Sequence, residues 1–413
     1  MSESSINAAA GEMADMPEFP MARAEGRPFA PPPESMRINE TAQMGRVRIW
    51  DGSTPWLITG YDAIRSLFAD GRASVDDRKP GYPHWNEGMK STVHKRPRSV
   101  FTSDAEEHTF YRRMLSKPFT FRRVEALRTA VQKITDDHIA AILAGPKPAD
   151  LVAELALPIP SLVISHLLGV PYEDAEFFQE QSARGMSRYA TAEDAAKGAG
   201  ALAKYLIGLL QKKMDEPAED LVSDLAERVK DEEISLREAA QLATGVLIAG
   251  HETTAGQIAL SIAALLENPE QLAALRHAED PKVIAIAVEE LLRYCSIIQT
   301  GQRRIATVDI EVGGETIRAG EGIILDVAPA NWDPRQFPRP DQLKLDREDG
   351  PNVAFGYGRH SCVGQQLARM ELQIVLPTLF RSIPTLQLAI PSDQVAFKHD
   401  ALSYGLHELP VTW

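Results

Sequence analysis

The longest helical pattern in the chain sets the scale of anything it can fold into. It runs from Ser235 to about Glu267, with Ser235 and Glu238 in capping-box spacing at its start and Asn268-Pro269 at its end. At 1.5 Å per residue such a helix is roughly 50 Å long, enough to cross a whole domain. Its middle, Ala249-Gly-His-Glu-Thr-Thr254, is polar where the rest is apolar. Glycine costs about 1 kcal/mol relative to alanine inside a helix, and threonine can bond back to the i−4 carbonyl and bend it. An acid and a hydroxyl side by side at a locally widened turn can hold water and relay protons. A kinked core helix with satisfied polar groups is the plainer reading of the same residues. A zinc-protease helix also begins His-Glu, but its second histidine belongs at 255, which is alanine.

The rest of the chain reads as mainly α with a small β part. Arg46–Trp50 and Trp56–Thr59 flank Asp51-Gly52 as a hairpin, and Val308–Val312, Glu315–Arg318 and Gly322–Asp326 form a second β region around Gly313-Gly314. Asn268-Pro269 and Asp280-Pro281 each open a helix, a cap residue followed by proline at the first helical position. Among 413 residues, 44% hydrophobic and 25% charged, neither a low-complexity linker nor a solenoid repeat occurs, so residues 34–413 read as one domain. Residues 1–33, ending in Pro31-Pro32-Pro33, read as a flexible N-terminal extension with neither signal-peptide nor membrane-anchor pattern. The expectation is a soluble, cytoplasmic monomer that makes no use of membrane or nucleic acid. The net charge of −14 argues against the latter, and only two scattered cysteines suit a reducing compartment. Charge is uneven, however: Arg112, Arg113, Lys117, Arg122, Arg123 and Arg128 face a single acid, Glu125. Such a run is either a solvated helix face or a docking patch for an acidic protein.

With only Cys295 and Cys362 present, a disulfide framework and a four-cysteine zinc site are excluded. Cys295 reads as a core thiol. Cys362 is different, because Phe355-Gly-Tyr-Gly-Arg-His-Ser-Cys-Val-Gly364 presents it from a glycine-rich loop at the start of a helix near Gln365. Free amide N–H groups and the positive end of the helix dipole favour thiolate there. Glycines 356, 358 and 364 permit positive φ and let the backbone approach something large and flat. A thiolate with close backbone donors is what a haem iron needs as a proximal ligand.

The complete pattern F-G-x-G-x-H-x-C-x-G resembles the haem-binding loop of the cytochrome P450 monooxygenases, and Ala249–Thr254 resembles their oxygen-activating helix, A-G-x-E-T-T. The likeness runs from about Phe29 to Trp413 and has the character of soluble, actinobacterial-type class I members. It implies the triangular, helix-rich fold of that family and a haem b held without covalent attachment. Cys362 would be the metal ligand, with Phe355 and Gly364 beside the cofactor. The resemblance makes Glu252 and Thr253 the proton-delivering pair, with Gly250 leaving room for oxygen. It also makes His108, Arg112, Arg304 and His360 a clamp for the haem propionates. Glu290 and Arg293 match the E-x-x-R pair, with Arg347 as the third member of a structural triad. Three departures touch local loops: Asn352 where relatives often have histidine, Asp104-Ala-Glu-Glu-His108 for D-P-P-E-H, and Trp332 for the arginine of N-R-D-P.

The activity implied is insertion of one oxygen atom from O2 into a small organic substrate. Within the same fold, use of peroxide or a nitrogen oxide is the alternative, and a non-catalytic haem-binding sensor is another; a zinc hydrolase is the outsider. No flavin or nicotinamide fingerprint occurs, so NAD(P)H would act only indirectly, through a ferredoxin and its reductase. The ferredoxin's expected docking residues are Arg113, Lys117, Arg123 and Arg359. Segments 78–101, 185–205, 297–303 and 398–405 are expected to line the substrate pocket.

Overall fold

The computed structural model describes residues 16–186 and 190–413, apart from the side chains of Tyr172, Ala175, Gln179, Ala183, Gly185 and Met186. The helix expected from 235 spans Leu236–Leu266 and organises everything else. Ser235 caps it: its hydroxyl accepts from the Glu238 amide at 3.2 Å, and the Glu238 carboxylate accepts from the Ser235 amide at 2.8 Å. Leu242, Ile258, Leu260, Ile262 and Leu265 are fully buried at different angles around the helix, as required of one that is apolar on every side. Helices Pro158–Leu168, Ala192–Asp215, Leu221–Lys230, Pro281–Cys295 and Gln365–Ser382 pack around it. The segment is α-helical throughout, so the widened turn expected at 249–254 is absent. Of the two proline-led starts, Asp280 caps its helix through the Lys282 amide, whereas Asn268 bonds backward to Ala264 O at 2.8 Å and closes the preceding one.

A five-stranded sheet stands beside this helical body, in the order Met44–Arg46, Trp56–Ile58, Gly322–Leu325, Gln302–Ala306, Ala73–Ser74. Trp56–Ile58 runs parallel to Gly322–Leu325, and the other neighbours are antiparallel. The first hairpin strand is Met44–Arg46 rather than 46–50. Residues 47–49 divide their bonds: Val47 and Ile49 reach Pro55 and Ser53, while Arg48 pairs with Pro17 and Phe19. Gln302–Ala306, unforeseen in the sequence, places Arg303 and Arg304 on opposite faces. Arg304 lies over Phe68, and Arg303 over Phe19. The hairpin Ile310–Val312/Glu315–Ile317 turns through Gly313 and Gly314 at φ 61° and 85°, values that glycine tolerates without strain.

The N-terminal boundary shifts. Residues 16–32, expected to belong to a flexible extension, pack on the body, with Phe19 and Phe29 each 5% exposed. Arg23 donates to the carbonyls of Phe29 and Ala30 at 3.1 and 2.8 Å and to Ser296 O at 3.3 Å. That last bond spans 273 residues and could not be foreseen from local composition.

Candidate active site

The cysteine loop is built by its own backbone. Gly356 and Gly358 adopt φ of 69° and 73°, and a Cβ on Gly358 would meet Phe68 O at 3.1 Å, so both glycines are required. Gly364 is not one of these: its φ is −85°, and a Cβ there would be in ordinary contact with Phe119 at 3.6 Å and the Cys362 sulfur at 4.0 Å. The Cys362 amide donates to Phe355 O at 2.9 Å, closing the loop before helix Gln365–Ser382 begins. Cys362 is exposed as a residue, yet its thiol is enclosed deeply enough that burial raises its pKa. The amides of Gly364 and Gln365 and the guanidiniums of Arg112 and Arg369 pull the other way. The amide donors read from the sequence are therefore present, but alone they do not offset burial. A bound cation would complete the shift, since a coordinating thiol loses its proton outright.

Four basic groups converge beside this loop. His108 and His360 have ring centroids 4.1 Å apart, and Arg112 donates to Ser361 O at 2.6 Å. Arg304 is buried, and its guanidinium donates to the neighbouring carbonyl of Arg303 at 2.7 Å. Burial, then the charges of Arg304, His108, Arg359 and Arg112, push His360 down to about 3. Burial followed by Arg112 and Arg359 lowers His108, and burial lowers Arg304. His108 Nε2 is a buried nitrogen with no hydrogen-bond partner. Basic groups whose charge is suppressed by burial and by one another, with an orphaned ring nitrogen among them, fit an anionic group larger than any nearby side chain. The two propionates of haem have that chemistry, so the residues present fit the cofactor.

On the central helix Thr253 Oγ1 donates to Ala249 O at 2.6 Å and Thr254 Oγ1 to Gly250 O at 3.2 Å. Glu252 Oε2 is buried without a partner. His251 is a buried core histidine whose Nδ1 lies 2.9 Å from Leu247 O, which disposes of the zinc-helix reading. At Gly250 a Cβ would stand 2.6 Å from Ile164 Cδ1 and 2.7 Å from its Cγ1, so this glycine lets helix Pro158–Leu168 approach the central helix closely.

The structural triad assembles. Glu290 and Arg293, each 1% exposed in the side chain, are joined at 2.6 and 2.8 Å. Arg347 Nε lies 3.0 Å from Glu290 Oε2, at ion-pair distance but without hydrogen-bond alignment. The basic docking candidates Arg113, Lys117, Arg123 and Arg359 are all exposed. Arg112 on Ser361 and Phe119 on Gly364 bring the 112–119 stretch against the cysteine loop. Lys117 is shared with Asp224, and Arg128 with Glu125.

Several supports were missed in the sequence. Arg369 stacks over Phe355 at 4.6 Å and pairs with Glu289, and Asn352 donates to the Glu289 carbonyl and carboxylate at 3.1 and 3.0 Å. Asn352 thus ties the start of the loop to helix Pro281–Cys295. Ala105 sits at φ 46°, which the first proline of D-P-P-E-H could not adopt; nothing in the structure explains Glu106 in place of the second. Trp332 is buried against Tyr294, to whose carbonyl it donates at 3.1 Å. Of the segments expected to line the pocket, 297–303 and 398–405 are joined by Gln299 and Thr300 donating to Lys398 O and Leu402 O. Phe101 lies against the central helix, where a Cβ on Gly245 would meet it. Residues 187–189 of the 185–205 segment lie outside the described residues.

Comparison with known proteins decides the family. A family model for cytochrome P450 matches residues 189–383. The chain is 65% identical to the cytochrome P450 CYP105Q4 of Mycobacterium marinum, over 96% of both chains. This chain belongs to the cytochrome P450 family. It is 49% identical to the cytochrome P450 GfsF of Streptomyces halstedii over the full length of both. The GfsF crystal structure superposes with a TM-score of 0.89, covering 96% of this chain and 100% of that one. A structure of CYP105P1 in complex with filipin I, 40% identical, also gives 0.89, with 97% and 99% coverage. The protein is accordingly a P450 monooxygenase, an oxidoreductase that uses non-covalently bound haem b and O2 with electrons from redox partners. Among the described residues no helix is long and apolar enough to cross a membrane.

Proposed function

We propose that this cytoplasmic P450 hydroxylates a small organic substrate, with Cys362 as the thiolate ligand of its haem and a ferredoxin as its electron donor. The observation that carries the reading is the set His108, Arg112, Arg304 and His360, basic groups gathered beside one cysteine where burial and their neighbours disfavour their charge. When bound, haem supplies dioxygen activation, and thiolate donation favours O–O cleavage. The chain's own residues do the rest. His108, Arg112, Arg304 and His360 hold the propionates by charge-assisted bonds. Thr253, whose hydroxyl proton is engaged by Ala249 O, presents lone pairs to a pocket water. The buried Glu252 oxygen is placed to accept and return a proton. Segments 297–303 and 398–405 form one wall of the substrate pocket.

The bound filipin I of CYP105P1 supports an organic small molecule as substrate. The acid–alcohol pair Glu252-Thr253 favours O2 over peroxide or nitrogen oxide as oxidant. Titration of the purified holoenzyme with a compound library that includes filipin I should displace the haem-bound water for some members. Those compounds should then be hydroxylated when ferredoxin, its reductase and NAD(P)H are supplied. Turnover that runs on peroxide alone and stays silent with the redox partners would overturn the reading.

A further inference from the structure

The N-terminal segment carries a half-buried arginine, its Nε fully enclosed, that the oxygen chemistry does not use. Arg23 is lowered by burial, and its Nε has no hydrogen-bond partner. Its other nitrogens serve the carbonyls of Pro28, Phe29, Ala30 and Ser296 at 2.8–3.3 Å, and no carboxylate bonds it directly. Its guanidinium carbon lies 3.9 Å from the centroid of the Tyr404 ring. A guanidinium taken out of water without a directly bonded acid is costly; the nearby Asp326 charge offsets part of that cost, and its ring contacts supply a further arrangement. Here that arrangement is an aromatic cluster: Tyr404 stacks on Phe397 at 5.6 Å, and Phe397 meets Phe29 edge-on at 6.2 Å.

Tyr404 belongs to the wall described above. Its amide donates to Ile297 O at 2.7 Å, and Ser403 bridges to Ile298. Its carbonyl stands 3.1 Å from where a Cβ on Gly256 would be, so the wall touches the central helix three residues after Thr253. One guanidinium therefore ties three pieces of chain distant in sequence: residues 28–30, Ser296 and Tyr404.

We propose that residues 16–32 are the outer buttress of the substrate pocket, with Arg23 the positioning residue that sets how firmly its wall holds a bulky ligand. This rests on the reading of 297–303 and 398–405 as pocket wall. Removing Arg23 frees the Tyr404 ring and the 297–300 and 397–406 loops to shift, while the cysteine loop keeps all its own bonds. Ligands that lean on the wall lose affinity, and ligands that need only the haem do not.

Two azoles of different size separate these cases in the holoenzyme, each followed by its red-shifted Soret band. Econazole should bind Arg23→Ala about tenfold more weakly than wild type, within the range of coupling through packed networks. Imidazole should bind both proteins equally. Arg23→Lys, which keeps the charge but not the planar fork, should fall between them. Arg27→Ala, an exposed change in the same segment, should match wild type. If Arg23→Ala does not accumulate as holoenzyme, Arg23→Lys alone carries the comparison. Equal econazole affinity in wild type and variant, or an equal loss for both azoles, overturns the proposal and leaves Arg23 a structural staple. Failure of wild type itself to bind either azole would instead count against the functional reading.

Discussion

At the scale of single residues, Cys362 and Cys295 make an internal control. Burial pushes the Cys295 thiol up to about 12, and it is 1% exposed, so it is inert as a ligand. Cys362→Ala should abolish the red-shifted Soret band of the reduced carbon monoxide complex, and Cys295→Ala should keep it. The Glu252-Thr253 pair separates from structure by its coupling. Thr253→Ala should keep haem and substrate binding yet divert electrons into peroxide, and Glu252→Gln should slow turnover by about 10²–10⁴-fold. Wild-type rate and coupling in both variants would reduce the pair to helix packing.

His84 gives a pH signature of its own. It is 8% exposed, and burial, then Lys90 and Arg96, lower it to about 4. A depressed pKa means that the unfolded chain takes the proton first. Stability is then complete above about 6.5, the unfolded value, and is lost as pH falls towards about 4. Asp326 acts oppositely: burial raises it to about 7, so its protonation in the fold adds stability over the same interval. The test is therefore a difference. The unfolding free energy of His84→Gln, measured by urea titration, should gain on wild type between pH 7 and 4.5 by about 1–2 kcal/mol after allowance for solvent screening. Parallel acid limbs would show His84 to be free to titrate.

At the scale of elements, Gly250 decides between two roles for one missing methyl. Alanine would favour the helix by about 1 kcal/mol, but a Cβ 2.6 Å from Ile164 Cδ1 costs about 1–3 kcal/mol, so the clash wins. Gly250→Ala should lower the melting temperature, and the same change in an Ile164→Ala background should be neutral or stabilising. Persistent uncoupling in the double variant would support the oxygen-room role. Such a glycine illustrates what a sequence hides: its motif was legible, but the face it presents depends on a helix some 90 residues earlier. The central helix was legible end to end because Ser235, Glu238 and Pro269 are local signals. The strand Gln302–Ala306 was not, since Gln-Arg-Arg-Ile-Ala has no alternation and its pairing comes from Gly322–Leu325. The triad and the basic cluster were legible through family motifs, and their supports Glu289 and Arg369 through nothing local.

At the scale of the whole molecule, a chain of net charge −14 exposes Arg113, Lys117, Arg122, Arg123 and Arg359 in the stretches that meet at the cysteine loop. Phe121 beside them is 72% exposed, the most exposed large apolar side chain described. Basic groups around an apolar centre suit an acidic partner, and 413 residues hold no flavin or nicotinamide fingerprint of their own. Attraction of this kind steers encounter and is screened, over about 10 Å at 0.1 M salt and about 3 Å at 1 M. Arg113→Glu with Lys117→Glu should therefore slow reduction by ferredoxin at low salt, and the gap from wild type should narrow as salt rises. Dithionite reduction and substrate binding should be unchanged, because neither residue touches the cysteine loop. Lys117 also pairs with Asp224, so Arg113→Glu alone is the cleaner of the two changes. If the double reversal is reduced by ferredoxin as fast as wild type at low salt, the positive charge is a solvated helix face and the electrons enter elsewhere.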